Sequence, residues 1–161
     1  MMRAVLASID GSPVSRKVAM VAHKLAERLG LRLVLLHVVS EHLVASIPGI
    51  GKPSPGESGP EPILALKDWT LNEELRAVHE IVSELIEGGA NVKLLSLTGD
   101  PARTILEQAE KLAAIIVMGY GGRGFLDPGG GRILKKVIEK ATVPVVVVTA
   151  NLNQEVVESS L

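Results

Sequence analysis

The sequence predicts an α/β domain: a three-layer, open, five-stranded parallel sheet with helices on both faces. Three observations predict it. Apolar runs at 4–9, 32–39, 115–119 and 143–148 are continuous rather than alternating, as in strands covered on both sides. Segments of helical periodicity separate the strands, so successive strands need crossovers and pair in parallel. The order βαβ, a long connection, then αβαβαβ carries this alternation through the chain.

The first strand, AVLASI, runs into Asp10, Gly11, Ser12 and Pro13. Asp, Gly and Ser favour a turn, and Ser12 is expected to cap a helix with Pro13 at its first position. Val14, Val18, Val21, Ala22 and Leu25 recur at helical spacing, and Gly30 supplies the stop. RLVLLHVV is the second strand. Residues 41–68 include GIGKPSPGESGPEP, whose Gly, Pro and Ser predict an exposed, mobile insertion longer than ordinary connections. From Thr70 a second helix carries Leu75, Val78, Val82, Leu85 and Ile86 up to Gly88. VKLLSL at 92–97 alternates in part, which places it nearer a sheet edge. Asp100 as N-cap before Pro101 opens a third helix with Ile105, Ala109 and Leu112 on its core side. A fourth helix opens at Arg132, and VPVVVV is the last strand. Residues 1–150 are expected to form one domain, and 151–161 a polar tail that frays or docks on a partner.

Composition bounds the function. Lys and Arg number 17 against 18 Asp and Glu, so the basic footprint of a nucleic-acid binder is missing. The lack of cysteine excludes disulfides and thiolate metal sites. MMRAVLASID has no signal-peptide layout, and no apolar run nears the roughly 18 residues of a membrane span. A cytoplasmic protein without a membrane partner is the expectation. Aromatics are only 2%, so the core must be built from Leu, Ile, Val and Ala.

Between Ile115 and Val148 a strand meets a glycine-rich loop, YGGRGFLDPGGGR, then a helix and a strand. That arrangement can seat phosphates: glycines let backbone N–H groups approach an anion, and a helix N-terminus adds partial positive charge. Asp10, Val38 and Gly119 all lie at carboxyl ends of predicted strands, where open sheets bind ligands. Ser8 and Met118 either line that crevice or pack in the core. Tyr120 and Arg123 either cover a ligand or face solvent. Turn chemistry alone also explains Gly119, Gly122 and Gly131, and a capping role also explains Asp10. His23 and His79 on helices and His37 on a strand show no metal spacing, and read as helix-face or satisfied core residues. Ser12 and Ser15 lack a histidine partner in the sequence, no G-x-x-x-x-G-K-[ST] is present, and no general base stands out.

Together these segments resemble the universal stress protein family. Its nucleotide-binding members carry G-x2-G-x9-G-[S/T] between the fourth strand and fourth helix, and Gly119 and Gly122 give the first half. AVLASIDGSPVSRKVAMVAHKLA is similar to the family's first strand and helix, with Asp10 at its acidic position. LVLLHVV is similar to the second strand, and TGDPARTILEQAEKLAAIIVMG to the third helix and its approach to the loop. The second half departs. The third glycine falls at Gly131, after eight residues rather than nine, and Arg132 follows it in place of Ser or Thr. Arg132 either grips phosphate oxygens through its guanidinium or points into solvent.

The resemblance implies an adenine-nucleotide alpha-hydrolase-like fold with strand order 3-2-1-4-5. It implies a stress-response sensor or switch that binds ATP or a related adenine nucleotide, with at most slow hydrolysis. Adenine would lie near Val38, ribose near Asp10, and phosphates over Gly119, Gly122, Gly131 and Arg132, with Mg²⁺ beside them. It also implies a homodimer through the last strand. The altered loop keeps a second reading open: a dimeric interaction protein of this fold that binds no nucleotide. An enzyme of the wider adenine-nucleotide hydrolase group would need catalytic residues that the sequence does not reveal.

Overall fold

The computed structural model of the protein describes residues 1–40, 62–121 and 131–160. In chain order they form β1 (Ala4–Ser8), α1 (Pro13–Leu29), β2 (Arg32–Ser40), α2 (Pro62–Glu87), β3 (Val92–Gly99), α3 (Pro101–Leu112), β4 (Ala114–Tyr120), α4 (Arg132–Lys140), β5 (Val145–Thr149) and α5 (Gln154–Ser160). The strands make one parallel sheet in the order β3-β2-β1-β4-β5. β1 is its centre, with Ala4 paired to Arg32 on one side and to Ala114 on the other.

Alternate residues of each strand face opposite helical layers. Val5, Ala7, Leu33, Leu35 and Val117 pack with Val14, Val18 and Ala22 of α1 and Val78 and Ile81 of α2. Leu6, Val34, Leu36, Ile116 and Met118 pack with Ala102, Ile105 and Ala109 of α3 and Leu134 and Val137 of α4. Because both faces are covered, the strands are apolar without alternation. Each fully buried Leu, Ile or Val contributes roughly 1.5–3 kcal/mol.

At the surface, Arg16 of α1 grips Glu84 of α2, with Nε donating to Oε2 at 2.9 Å and Nη2 to Oε1 at 2.7 Å. That hydrogen bond, and then the charge of Glu84, hold the Arg16 guanidinium above its ordinary value. Both side chains are about half exposed, so the pair is worth well under ~1 kcal/mol.

Besides shifts of one or two residues at strand ends, the structure departs from the sequence expectation at α2, in the tail and at β5. α2 begins at Pro62 rather than near Thr70, which shortens the expected 41–68 insertion at its C-terminal end. Pro62 suits a first helical turn, and the Leu, Ala, Leu and Lys at 64–67 are good helix formers. Residues 41–61, where the rest of that insertion falls, lie outside the described residues. The polar tail contains α5, opened by Asn153 Oδ1 accepting from the Glu155 N–H at 3.0 Å, and Val157 is buried against α1's side of the sheet. Lys17 Nζ, reaching from α1, donates to the Ala150 carbonyl just ahead of it. β5 begins at Val145, although the Pro144 carbonyl already accepts from the Ile116 N–H at 2.9 Å.

Candidate functional site

Strand order reverses between β1 and β4, and the chain leaves these neighbours toward opposite layers. Their carboxyl ends therefore flank a switch point, the place where open α/β sheets hold ligands. Ser8 pairs with Leu36, and Ala7 with Val117. Continuing that register sets Asp10 level with Val38 on one side and with Tyr120 on the other.

Asp10 is exposed and its carboxylate is held in place. Oδ1 accepts from the Ser12 N–H at 2.9 Å and from the Ser15 hydroxyl at 3.0 Å. Ser15 Oγ in turn accepts from the Asp10 N–H at 3.1 Å. The expected capping by Ser12 is not made. Ser12 occupies the N-cap position of α1 without a side-chain bond to the helix, and its hydroxyl lies 3.4 Å from that of Ser15. The Ser12 N–H itself is taken by Asp10, whose carboxylate two residues back reaches it in an Asx-turn. Ser15 is only 2% exposed, so its bonds to Asp10 are sheltered. Ser15→Ala is expected to cost about 1–2 kcal/mol, because the alanine can replace neither bond. Urea unfolding measures that loss, and wild-type stability would refute the role.

Val38 and Met118 are buried, and their side chains pack in the layer of α3 and α4. Ser8 is half-buried. Gly119 has a packing reason to be glycine: a Cβ there would lie 2.6 Å from Val14 Cγ1 and 3.1 Å from Val18 Cγ2. Gly121 has φ +83°, a left-handed conformation that turns the chain out of β4. Tyr120 is exposed at the end of β4. Gly131 is the N-cap residue of α4, and its carbonyl accepts the helix's bond from the Lys135 N–H at 2.9 Å. Arg132 is exposed at the first position of α4. Gly122 and Arg123 lie outside the described residues.

His23, His37 and His79 behave as expected, and His37 has partners the sequence did not reveal. His37 is 0% exposed; its Nε2 lies 2.7 Å from Glu74 Oε1, and Glu74 itself is 11% exposed. Nδ1 lies 3.3 Å from Ser96 Oγ. A carboxylate only accepts, so Nε2 carries the proton. No sequence signal links His37 to a glutamate 37 residues away on another element. His23 lies 3.7 Å from Glu27 one turn along α1, and His79 is exposed. Among the described residues no group of three or more His, Asp or Glu side chains could hold a metal ion, and no helix is long and apolar enough to cross a membrane.

Comparison with known proteins adds to this geometry. The model of the Universal stress protein family matches residues 1–149. A universal stress protein of Mycolicibacterium smegmatis is 32% identical over 147 residues, which cover 89% of this chain and 45% of that protein. The chain thus spans about half the length of the curated relatives it matches. A universal stress protein solved in complex with cAMP superposes with a TM-score of 0.62 at 17% identity, covering 91% of this chain and 96% of the other. The universal stress protein of Archaeoglobus fulgidus in complex with dAMP superposes with a TM-score of 0.57 at 20% identity, covering 91% and 97%.

Proposed function

The chain belongs to the universal stress protein family, and from that premise we propose that it binds an adenine nucleotide, ATP foremost, as a sensor or switch in the cytoplasm. The observation that carries this reading is the exposed carboxylate of Asp10, fixed by Ser12 and Ser15 beside the switch point of the sheet. A held acceptor of this kind suits ribose hydroxyls. The backbone at Val38 would meet the adenine edge. Gly119, Gly122, Gly131 and the start of α4 at Arg132 would face the phosphates, with Mg²⁺ neutralising their charge. Two structures of the same fold, bound to cAMP and to dAMP, support an adenine nucleotide as the ligand class. No residue is assigned to activate water, so any ATP hydrolysis is expected to be slow.

Two observations favour a second reading, a dimeric interaction protein without nucleotide. Arg132 stands where the motif has Ser or Thr, and Gly119 is required by Val14 whether or not a phosphate is near. Titration calorimetry of the full chain with ATP and Mg²⁺ separates the two. Binding tighter than about millimolar supports the nucleotide reading, and weaker binding supports the rival.

Either reading includes a homodimer through the last strand. β5 is an edge of the sheet, Val147 on it is 41% exposed, and Tyr120 at the end of its neighbour is 49% exposed. An apolar edge is a pairing template, and a second copy related by a two-fold axis offers the same strand. Light scattering behind size exclusion is expected to give twice the 17.0 kDa chain mass at micromolar concentration. A monomer there overturns the dimer.

A further inference from the structure

We propose that Glu74, through His37, is a positioning residue for the nucleotide site. It would set the distance between the turn that carries Asp10 and the end of β2 that carries Val38. The proposal rests on the adenine-nucleotide reading above and goes beyond it, because neither residue belongs to the glycine motif or to the acidic position.

Two independent contacts converge on this one residue of α2, and a third holds its histidine partner. The first is the short hydrogen bond to His37, 2.7 Å long and almost wholly out of water. His37 immediately precedes Val38, so fixing the imidazole fixes the strand at the level where adenine would lie. The second is a backbone approach. Gly11 has φ +77°, and a Cβ on it would lie 3.0 Å from the Glu74 carbonyl oxygen, 3.3 Å from Glu74 Cα and 3.2 Å from Ala77 Cβ. The turn that holds Asp10 therefore rests against the same helical position that holds His37. The third is the second imidazole nitrogen, 3.3 Å from the Ser96 hydroxyl on β3, which leaves the ring engaged at both ends. Beneath these contacts the Ile9 N–H donates to the Leu36 carbonyl at 2.9 Å and ties the exits of β1 and β2 together.

Glu74 thus touches both walls of the crevice on which the nucleotide would depend. If α2 slid along the sheet, the Asp10 turn would move relative to Val38. A ligand that needs both walls would then lose the spacing it requires. A nearly buried carboxylate–imidazole bond resists that slide better than apolar contact, because it has a direction as well as a distance.

The test compares wild type, Glu74→Gln and Glu74→Met as full chains. Glutamine keeps an acceptor for the His37 N–H, while methionine keeps only the length and bulk. Calorimetry with ATP and Mg²⁺ should show Glu74→Gln within about threefold of wild type and Glu74→Met weaker by about tenfold or more. The amide resonance of Gly11 in nucleotide-free protein should shift in the methionine variant and stay close to wild type in the glutamine variant. If Glu74→Met does not fold, Gly11→Ala, which presses the turn off the same helix with the His37 bond intact, should weaken ATP comparably. Wild-type affinity in Glu74→Met or Gly11→Ala, or equal losses with glutamine and methionine, overturns the proposal. Failure of wild type to bind ATP removes the nucleotide reading instead. The Gly11 shift then still decides whether Glu74 sets the turn, and an unmoved resonance in Glu74→Met overturns that too.

Discussion

Gly119→Val is expected to destabilise the fold by about 3 kcal/mol, a fall in melting temperature of roughly 6–12 °C for a chain of this size. Two effects compete at this position. Glycine weakens a strand and valine favours one, by up to ~1 kcal/mol in either account. Against that, the first added carbon would sit 2.6 Å from Val14 Cγ1, and valine adds two more carbons in the same confined space. Carbon atoms are comfortable at about 3.5–4.0 Å, so relief requires α1 to lift from β4. The steric term wins. Val14→Ala should recover part of the loss by removing the obstructing methyl, so the two changes combined should cost less than their sum by about 1 kcal/mol. Thermal and urea unfolding of the two single variants and the double variant make the measurement. A Gly119→Val protein as stable as wild type would contradict the contact.

Gly122→Val is expected to do the opposite: abolish ATP binding, a loss of about 100-fold or more, while melting stays near wild type. Gly122 lies outside the described residues, and the expectation comes from its place in the motif. There it is asked only to let backbone come close to a phosphate, which a branched side chain prevents. Unchanged affinity would remove the loop from the site. Side by side, the two variants separate glycines that look alike in the sequence. One is fixed by a neighbouring helix, the other assigned to a ligand.

The frame of the molecule was legible because its signals are local. Continuous apolar runs marked all the interior strands, and Pro13 and Gly30 bracket α1 where Pro at the start and Gly past the end are favoured. Asp100 does cap α3, accepting from the Arg103 N–H at 3.0 Å, as its place before Pro101 predicts. What was not legible depends on distance or on competition. Ser12 and Asp10 can each accept a different N–H near the start of α1, and nothing in their order says that only Asp10 does so. Helix formers after Pro62 were masked by the Gly and Pro density before them. α5 has few apolar residues, and Val157 becomes meaningful only against α1's layer. Ser15 is an ordinary helix residue until its hydroxyl is seen on Asp10, and the acceptor for His37 comes from a helix a long way down the chain.

The central place of β1 has a consequence for how the protein is made. β1 precedes the other four strands in the chain, and β2 can join it soon after, but its other neighbour begins only at Ala114. Until that segment leaves the ribosome, the middle of the finished sheet is an open margin of unpaired amides flanked by Val5 and Leu6. Closing it requires bringing together stretches far apart in the chain, the slow kind of contact. During translation, then, the surface most at risk of unwanted pairing is one that the completed molecule hides at its centre.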